Sequence, residues 1–220
     1  MTPVSTVAIV DDNKDMRETM AAELEDVNLR PALLEGPFQT VTALLKEIRG
    51  RRLEAAVCDY HLSPRGFAGF SGAQAVAELY QQKIPSVLVT AYGKVDVIDI
   101  RSFRDRLPIL IHSDEVEPEM VVEGFKVCQL EFDNKFTEAR KPWRTLVRVE
   151  EVDDRRSNPP IVKVTVPNWN AKTVVGFQLS MVPKSHRDKI KAGTRFYAEI
   201  NLGATDQSDL YLKSFEFPGG

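Results

Sequence analysis

"VAIVDDN" (Val7–Asn13), "AAVCDYHL" (Ala55–Leu62) and "SVLVTAYG" (Ser86–Gly93) decide the fold. Each carries a short, nearly unbroken apolar run that ends on a polar residue. Asp11 and Asp12 follow Val7–Val10, Asp59 follows Ala55–Cys58, and Thr90 follows Val87–Val89. Runs of this length, rich in Val and Ile, read as strands buried on both faces of a parallel sheet. Ligands of open parallel sheets bind in the crevice at the carboxyl ends of the strands. Three strands therefore aim three carboxylates and one hydroxyl at one place.

The chemistry of that cluster is restrictive. Crowded carboxylates repel one another and are hard to keep ionised without a cation. Oxygen-only ligands suit a hard divalent ion, and Mg2+ takes one or two carboxylates, keeps waters and engages phosphate oxygens. One carboxylate can then attack a phosphoryl group and form an aspartyl-phosphate, with the metal offsetting charge in the transfer. A hydroxyl on the neighbouring strand can bond a phosphate oxygen. Taken singly, each residue has a plainer reading: Asp11 and Asp12 as helix N-caps, Thr90 as a strand-end hydroxyl. Their common register favours the pocket.

Residues 5–127 resemble the receiver domain of two-component response regulators. The resemblance rests on the three quoted segments, on "SGAQAVAEL" (Ser71–Leu79) as the helix after the phosphorylation loop, and on "IPSVLVTAY" (Ile84–Tyr92) as the fourth strand. It implies Asp59 as phosphoacceptor, Asp11 and Asp12 as the Mg2+ site with the Tyr60 backbone carbonyl, and Thr90 as the switch hydroxyl. It also implies a sensor histidine kinase as phosphodonor, with no chemistry beyond self-phosphotransfer and slow hydrolysis.

The departures from that family are specific. The fifth strand falls in "LPILIHSDE" (Leu107–Glu115), which puts His112 where the family has a Lys that contacts the phosphoryl group. Ser113 replaces the following Pro, and Ile109 stands where the family often has a rotating aromatic. The loop after Asp59, "SPRGFAGF" (Ser63–Phe70), is enlarged, and its Phe67 and Phe70 read as local packing. Histidine titrates near neutrality, so His112 would replace Lys only in a pH-dependent way. Arg65 or Lys94 could supply the charge instead.

A chain of 220 residues with 43% hydrophobic content accommodates two cores. The charge is uneven: net −7 for residues 1–137 and +4 for 138–220. The start of the chain has no basic, then apolar, signal pattern. No run approaches the ~20 apolar residues of a membrane span. Two cysteines, Cys58 and Cys128, give no disulfide framework, and a cytoplasmic location is expected.

The pattern predicts residues 1–130 as a flavodoxin-like, doubly wound α/β unit with a five-stranded parallel sheet. Helices are expected at Asn13–Leu29, Val41–Arg49, Ser71–Gln82 and within "EPEMVVEGFKVCQLEF" (Glu117–Phe132), with a short one in "GKVDVIDIRSFRDR" (Gly93–Arg106). Residues 131–143 form the linker. Residues 144–220 read as five strands with one helical segment, "PKSHRDKIKAG" (Pro183–Gly193), between the third and fourth: a small OB- or SH3-like barrel. No adjacent helix pair suggests a helix-turn-helix output. Protein binding is the favoured output. Single-stranded nucleic acid, through Trp169, Phe177, Phe196 and Tyr211 with Lys163, Lys172 and Arg195, is a less favoured alternative. A third alternative is a pseudo-receiver adaptor that docks or dimerises without switching.

Overall fold

The computed structural model describes residues 3–63, 66–91, 96–154 and 158–218. The chain divides into two compact units, residues 1–92 with 106–135, and residues 93–105 with 136–220.

The first unit runs β1 (Thr6–Val10), α1 (Lys14–Asp26), β2 (Arg30–Leu33), α2 (Val41–Gly50), β3 (Ala55–Asp59), α3 (Gly72–Gln81), β4 (Ser86–Thr90), β5 (Leu110–His112) and α5 (Pro118–Phe132). Its sheet is ordered β2-β1-β3-β4-β5, and every pair is parallel. This is the expected flavodoxin-like unit. The order reverses between β1 and β3, so the crevice opens beside their carboxyl ends. Val7, Val57 and Val87 are buried in the core with Leu24 of α1 and Val121 and Phe125 of α5.

Side-chain caps set the helix starts. Asn13 accepts from the Asp15 N–H, Thr40 from the Ala43 N–H, and Ser71 from the Gln74 N–H. Pro118 occupies the first turn of α5, where its missing N–H costs nothing.

The second unit holds β6 (Trp143–Asp153), β7 (Ile161–Val166), α6 (Pro167–Asn170), β8 (Ala171–Gln178), β9 (Arg195–Ile200) and β10 (Leu212–Glu216). All its ladders are antiparallel, in the order β10-β9-β6-β7-β8. The result is a small barrel-like unit with β6 at its centre, an order compatible with an OB-like Greek key. The expected helical segment between the third and fourth strands is a 3-10 turn, Lys184–Lys189.

The unit's aromatics correct one expectation. Phe177 and Phe196 are completely buried and Tyr211 is 1% exposed. Trp169 is half-buried, and its indole N–H donates to the Ala204 carbonyl. Strand alternation turns Phe177 and Phe196 into the core, and Tyr211, just before β10, is buried with its hydroxyl on the Arg140 carbonyl, so the three present no face on which a base could stack.

The connection between β4 and β5 belongs to this second unit, which the contiguous division read from sequence does not include. It forms α4 (Asp96–Arg101) and a 3-10 turn from Arg104. A Cβ on Gly176 would stand 3.3 Å from Ile98, so the glycine on β8 admits close approach of α4. Arg101, 2% exposed, donates to the Leu210 carbonyl at 2.9 Å. Arg104 pairs with Asp209 at 2.8 Å. Arg140 donates to the carbonyls of Arg104 and Asp105, and accepts at its own carbonyl from the Tyr211 hydroxyl. Two buried guanidinium groups, Arg101 and Arg140, thus satisfy main-chain oxygens outside the strands, and a third, Arg104, meets a carboxylate.

Candidate functional site

The carboxyl ends of β1, β3 and β4 bring the four residues together. Asp11 and Asp12 follow β1, and Asp59 and Thr90 end β3 and β4. Asp11, Asp12 and Asp59, each half-buried, offer oxygens that lie within 4.8 Å of one another. The local sequence fixes this geometry. Asn13 caps α1 and its own N–H donates to Asp11 Oδ1 at 2.7 Å. A Cβ on Gly72 would stand 1.8 Å from the Asp59 carbonyl oxygen, so only glycine lets the start of α3 pack on the Asp59–Tyr60 backbone.

Asp59 is electrostatically unusual. Its carboxyl is pushed up to about 6, first by burial and then by the charge of Asp11, against the lowering effect of a 2.7 Å bond from the His61 N–H to Oδ2. Three oxygen donors with a carboxylate held above its ordinary range are what a divalent cation relieves. The residues present therefore fit a hard ion such as Mg2+.

The Tyr60 carbonyl, next to Asp59, accepts from the Gly72 N–H at 2.9 Å. Thr90 is completely buried, and its Oγ1 has no hydrogen-bond partner. A buried hydroxyl in that state is an acceptor-seeking donor at the edge of the cluster.

His112 pairs in register with Thr90, but its Nδ1 lies 3.7 Å from an Asp114 carboxylate oxygen. The histidine that acts on Asp59 is His61, first through its backbone N–H, and the sequence reading passed it over. Its signal was position alone, two residues beyond Asp59 in "CDYHL". Arg65 and Lys94, the other candidate cations, lie outside the described residues. Ile109, half-buried, sits against α5 at Gly124, where an added Cβ would stand 3.3 Å from it.

Phe67 and Phe70 are 7% and 5% exposed and pack locally. The enlarged loop is stitched to the loop before α2: the Phe38 N–H donates to the Phe67 carbonyl at 2.8 Å, and the Gly69 N–H to the Phe38 carbonyl at 2.9 Å. A small cavity of about 120 Å³ lies on the other side of the cluster, lined by Asp11, Asp59, Met16, Met20, Ser113 and Val116.

No family model matches the chain, and no curated protein does. Among solved structures, the signal receiver domain of an HD domain-containing protein from Pseudomonas fluorescens Pf-5 is 13% identical, with a TM-score of 0.46, over 60% of this chain and 95% of that one. A response regulator receiver domain protein from Clostridium thermocellum is 10% identical, with a TM-score of 0.45, over 60% and 98%. A CheY-like receiver domain protein from Methanospirillum hungatei JF-1 is 17% identical, with a TM-score of 0.44, over 60% and 98%. These neighbours are receiver domains. The class of the first unit is carried by its own strand order and not by likenesses this distant. None of the described helices is long and apolar enough to cross a membrane.

Proposed function

We propose that the chain is a response-regulator-type signalling protein in which Asp59 is the phosphoacceptor. The observation that carries this reading is the convergence of Asp11, Asp12 and Asp59 beside a buried, unpartnered Thr90 hydroxyl. Asp11, Asp12, Asp59 and the Tyr60 carbonyl would hold Mg2+. When bound, the ion supplies positive charge to the phosphoryl oxygens.

An Asp59 oxygen forms the new bond to phosphorus, and the donor's bond to phosphorus breaks with its electron pair leaving on the donor. A phosphohistidine of a sensor kinase or a small acyl phosphate fits that role. The His61 N–H holds the Asp59 oxygen that does not attack. The Thr90 hydroxyl donates to a phosphoryl oxygen, which gives the orphaned group its partner. The barrel-like unit is then the output, acting through a protein partner. Cys58 and Cys128, both buried and neither in a disulfide, suit a reducing compartment such as the cytoplasm.

A pseudo-receiver adaptor is the second reading, and the placement of His112 beside Asp114 favours it. Incubation with Mg2+ and acetyl phosphate, followed by intact-mass measurement, separates the two. A phosphoryl adduct that Asp59→Asn abolishes supports the switch. A folded protein with no adduct leaves the adaptor.

A further inference from the structure

Arg17 sits in α1, one turn beyond the acidic pair, and is 8% exposed. A guanidinium N–H donates to the Asp11 carbonyl oxygen, which belongs to the peptide joining Asp11 to Asp12. The guanidinium carbon lies 5.4 Å from the centre of the Phe67 ring, on the loop that follows Asp59. Its Nε is buried without a hydrogen-bond partner, and among the described residues no carboxylate forms an ion pair with it. Asp12, Arg17, Glu35, Pro37 and Phe67 share the walls of a cleft of about 370 Å³.

A guanidinium is a costly core filler. Its burial without an ion-pair partner is unfavourable, and the open Nε adds a desolvation cost. Methionine or leucine would pack on Phe67 more cheaply. What they would lack is the bond to the Asp11 carbonyl, which pins the peptide between two of the three carboxylates. The Phe67 contact pins the other partner, because the loop of Phe67 begins at Asp59. That loop is in turn held by the Phe38 and Gly69 bonds, and a Cβ on Gly36 would stand 2.6 Å from the Phe67 carbonyl oxygen. Arg17 therefore touches both chain segments that bring the carboxylates together, without contributing an oxygen itself.

We propose that Arg17 is a positioning residue for divalent-cation binding, holding the Asp11–Asp12 peptide and the Asp59 loop at one separation. This rests on the reading above that the acidic cluster binds a divalent ion. Residues that orient metal ligands without touching the metal typically change affinity by about 10–100-fold when replaced.

The test is a calorimetric titration of the full chain with Mg2+, with circular dichroism as the control for folding. Arg17→Met should weaken Mg2+ binding by about tenfold or more, and Arg17→Lys should recover part of that loss. Phe67→Leu keeps the bond to Asp11 and should produce a smaller loss. Unchanged Mg2+ affinity in a folded Arg17→Met protein, with only a lowered melting temperature, overturns the proposal and makes Arg17 a packing residue. If Arg17→Met does not fold, wild-type affinity in both Arg17→Lys and Phe67→Leu overturns it equally. Failure of the wild-type chain to bind Mg2+ is a different result: it removes the cation reading itself, and this one with it.

Discussion

Asp59→Asn should make the metal-free protein more stable at neutral pH, although it removes the proposed phosphoacceptor. The folded protein holds the Asp59 carboxyl at about 6, chiefly through burial and the Asp11 charge. An unfolded aspartate titrates near ~3.9. The native state therefore binds more protons than the unfolded state between about pH 4 and about 6, so stability falls as pH rises through that window. The full interval corresponds to roughly 3 kcal/mol at neutral pH. The site is half-buried and partly screened by water, which reduces the figure to roughly 1–2 kcal/mol. Asparagine keeps an oxygen for the His61 N–H and carries no charge, so the variant should recover that amount. The assay is urea unfolding in EDTA, followed by the helical circular dichroism signal. That probe suits the first unit, because both tryptophans, Trp143 and Trp169, lie in the second. The gain should be largest above pH 7 and should shrink towards zero near pH 4. A variant no more stable than wild type at pH 8, or a gain that persists unchanged at pH 4, refutes the reasoning.

Thr90→Val replaces a buried hydroxyl that has no partner, so unphosphorylated stability should hold or rise by up to ~1 kcal/mol in urea unfolding. The same variant should shorten the lifetime of any phosphoryl adduct seen by intact mass. Gly72→Ala places a Cβ at 1.8 Å from the Asp59 carbonyl oxygen, and the required backbone shift should cost several kcal/mol, at or beyond the ~1–3 kcal/mol of ordinary overpacking; thermal melting checks it. Arg101→Ala leaves the buried Leu210 carbonyl unpaired and should destabilise the second unit by about 1–3 kcal/mol, read from tryptophan fluorescence.

The parallel unit was legible because its strands are buried on both faces and so read as solid apolar runs. β2 was the exception. Its four residues open on Arg30-Pro31, and only partial burial marks them, so no run announces a strand. The acidic cluster was equally plain, since each carboxylate closes a run. The pieces that set its geometry were not. Arg17 looks like one more polar residue in an amphipathic helix, and its burial depends on a phenylalanine fifty positions away. His61 matters through a backbone N–H, which no side-chain pattern reveals. In the second unit, alternation located all five strands, while the same aromatics fit either a binding face or a core. Register decided for the core.

The pattern of the connection between β4 and β5 supports only a short helix, for a physical reason. Its apolar residues mix periods, and the contacts of α4 lie with β8. Ile98 instead meets Gly176, while Arg101 and Arg104 reach the main chain and Asp209 of the second unit. Arg101 and Arg104, which look polar in the helix pattern, are thus buried along with Ile100. The stretch 93–105 groups with the barrel-like unit. A fragment that starts after the linker omits that segment. It would leave the Leu210 carbonyl and Asp209 without Arg101 and Arg104. Any assignment of partners to the second unit therefore has to include residues 93–105, although they stand between two strands of the first.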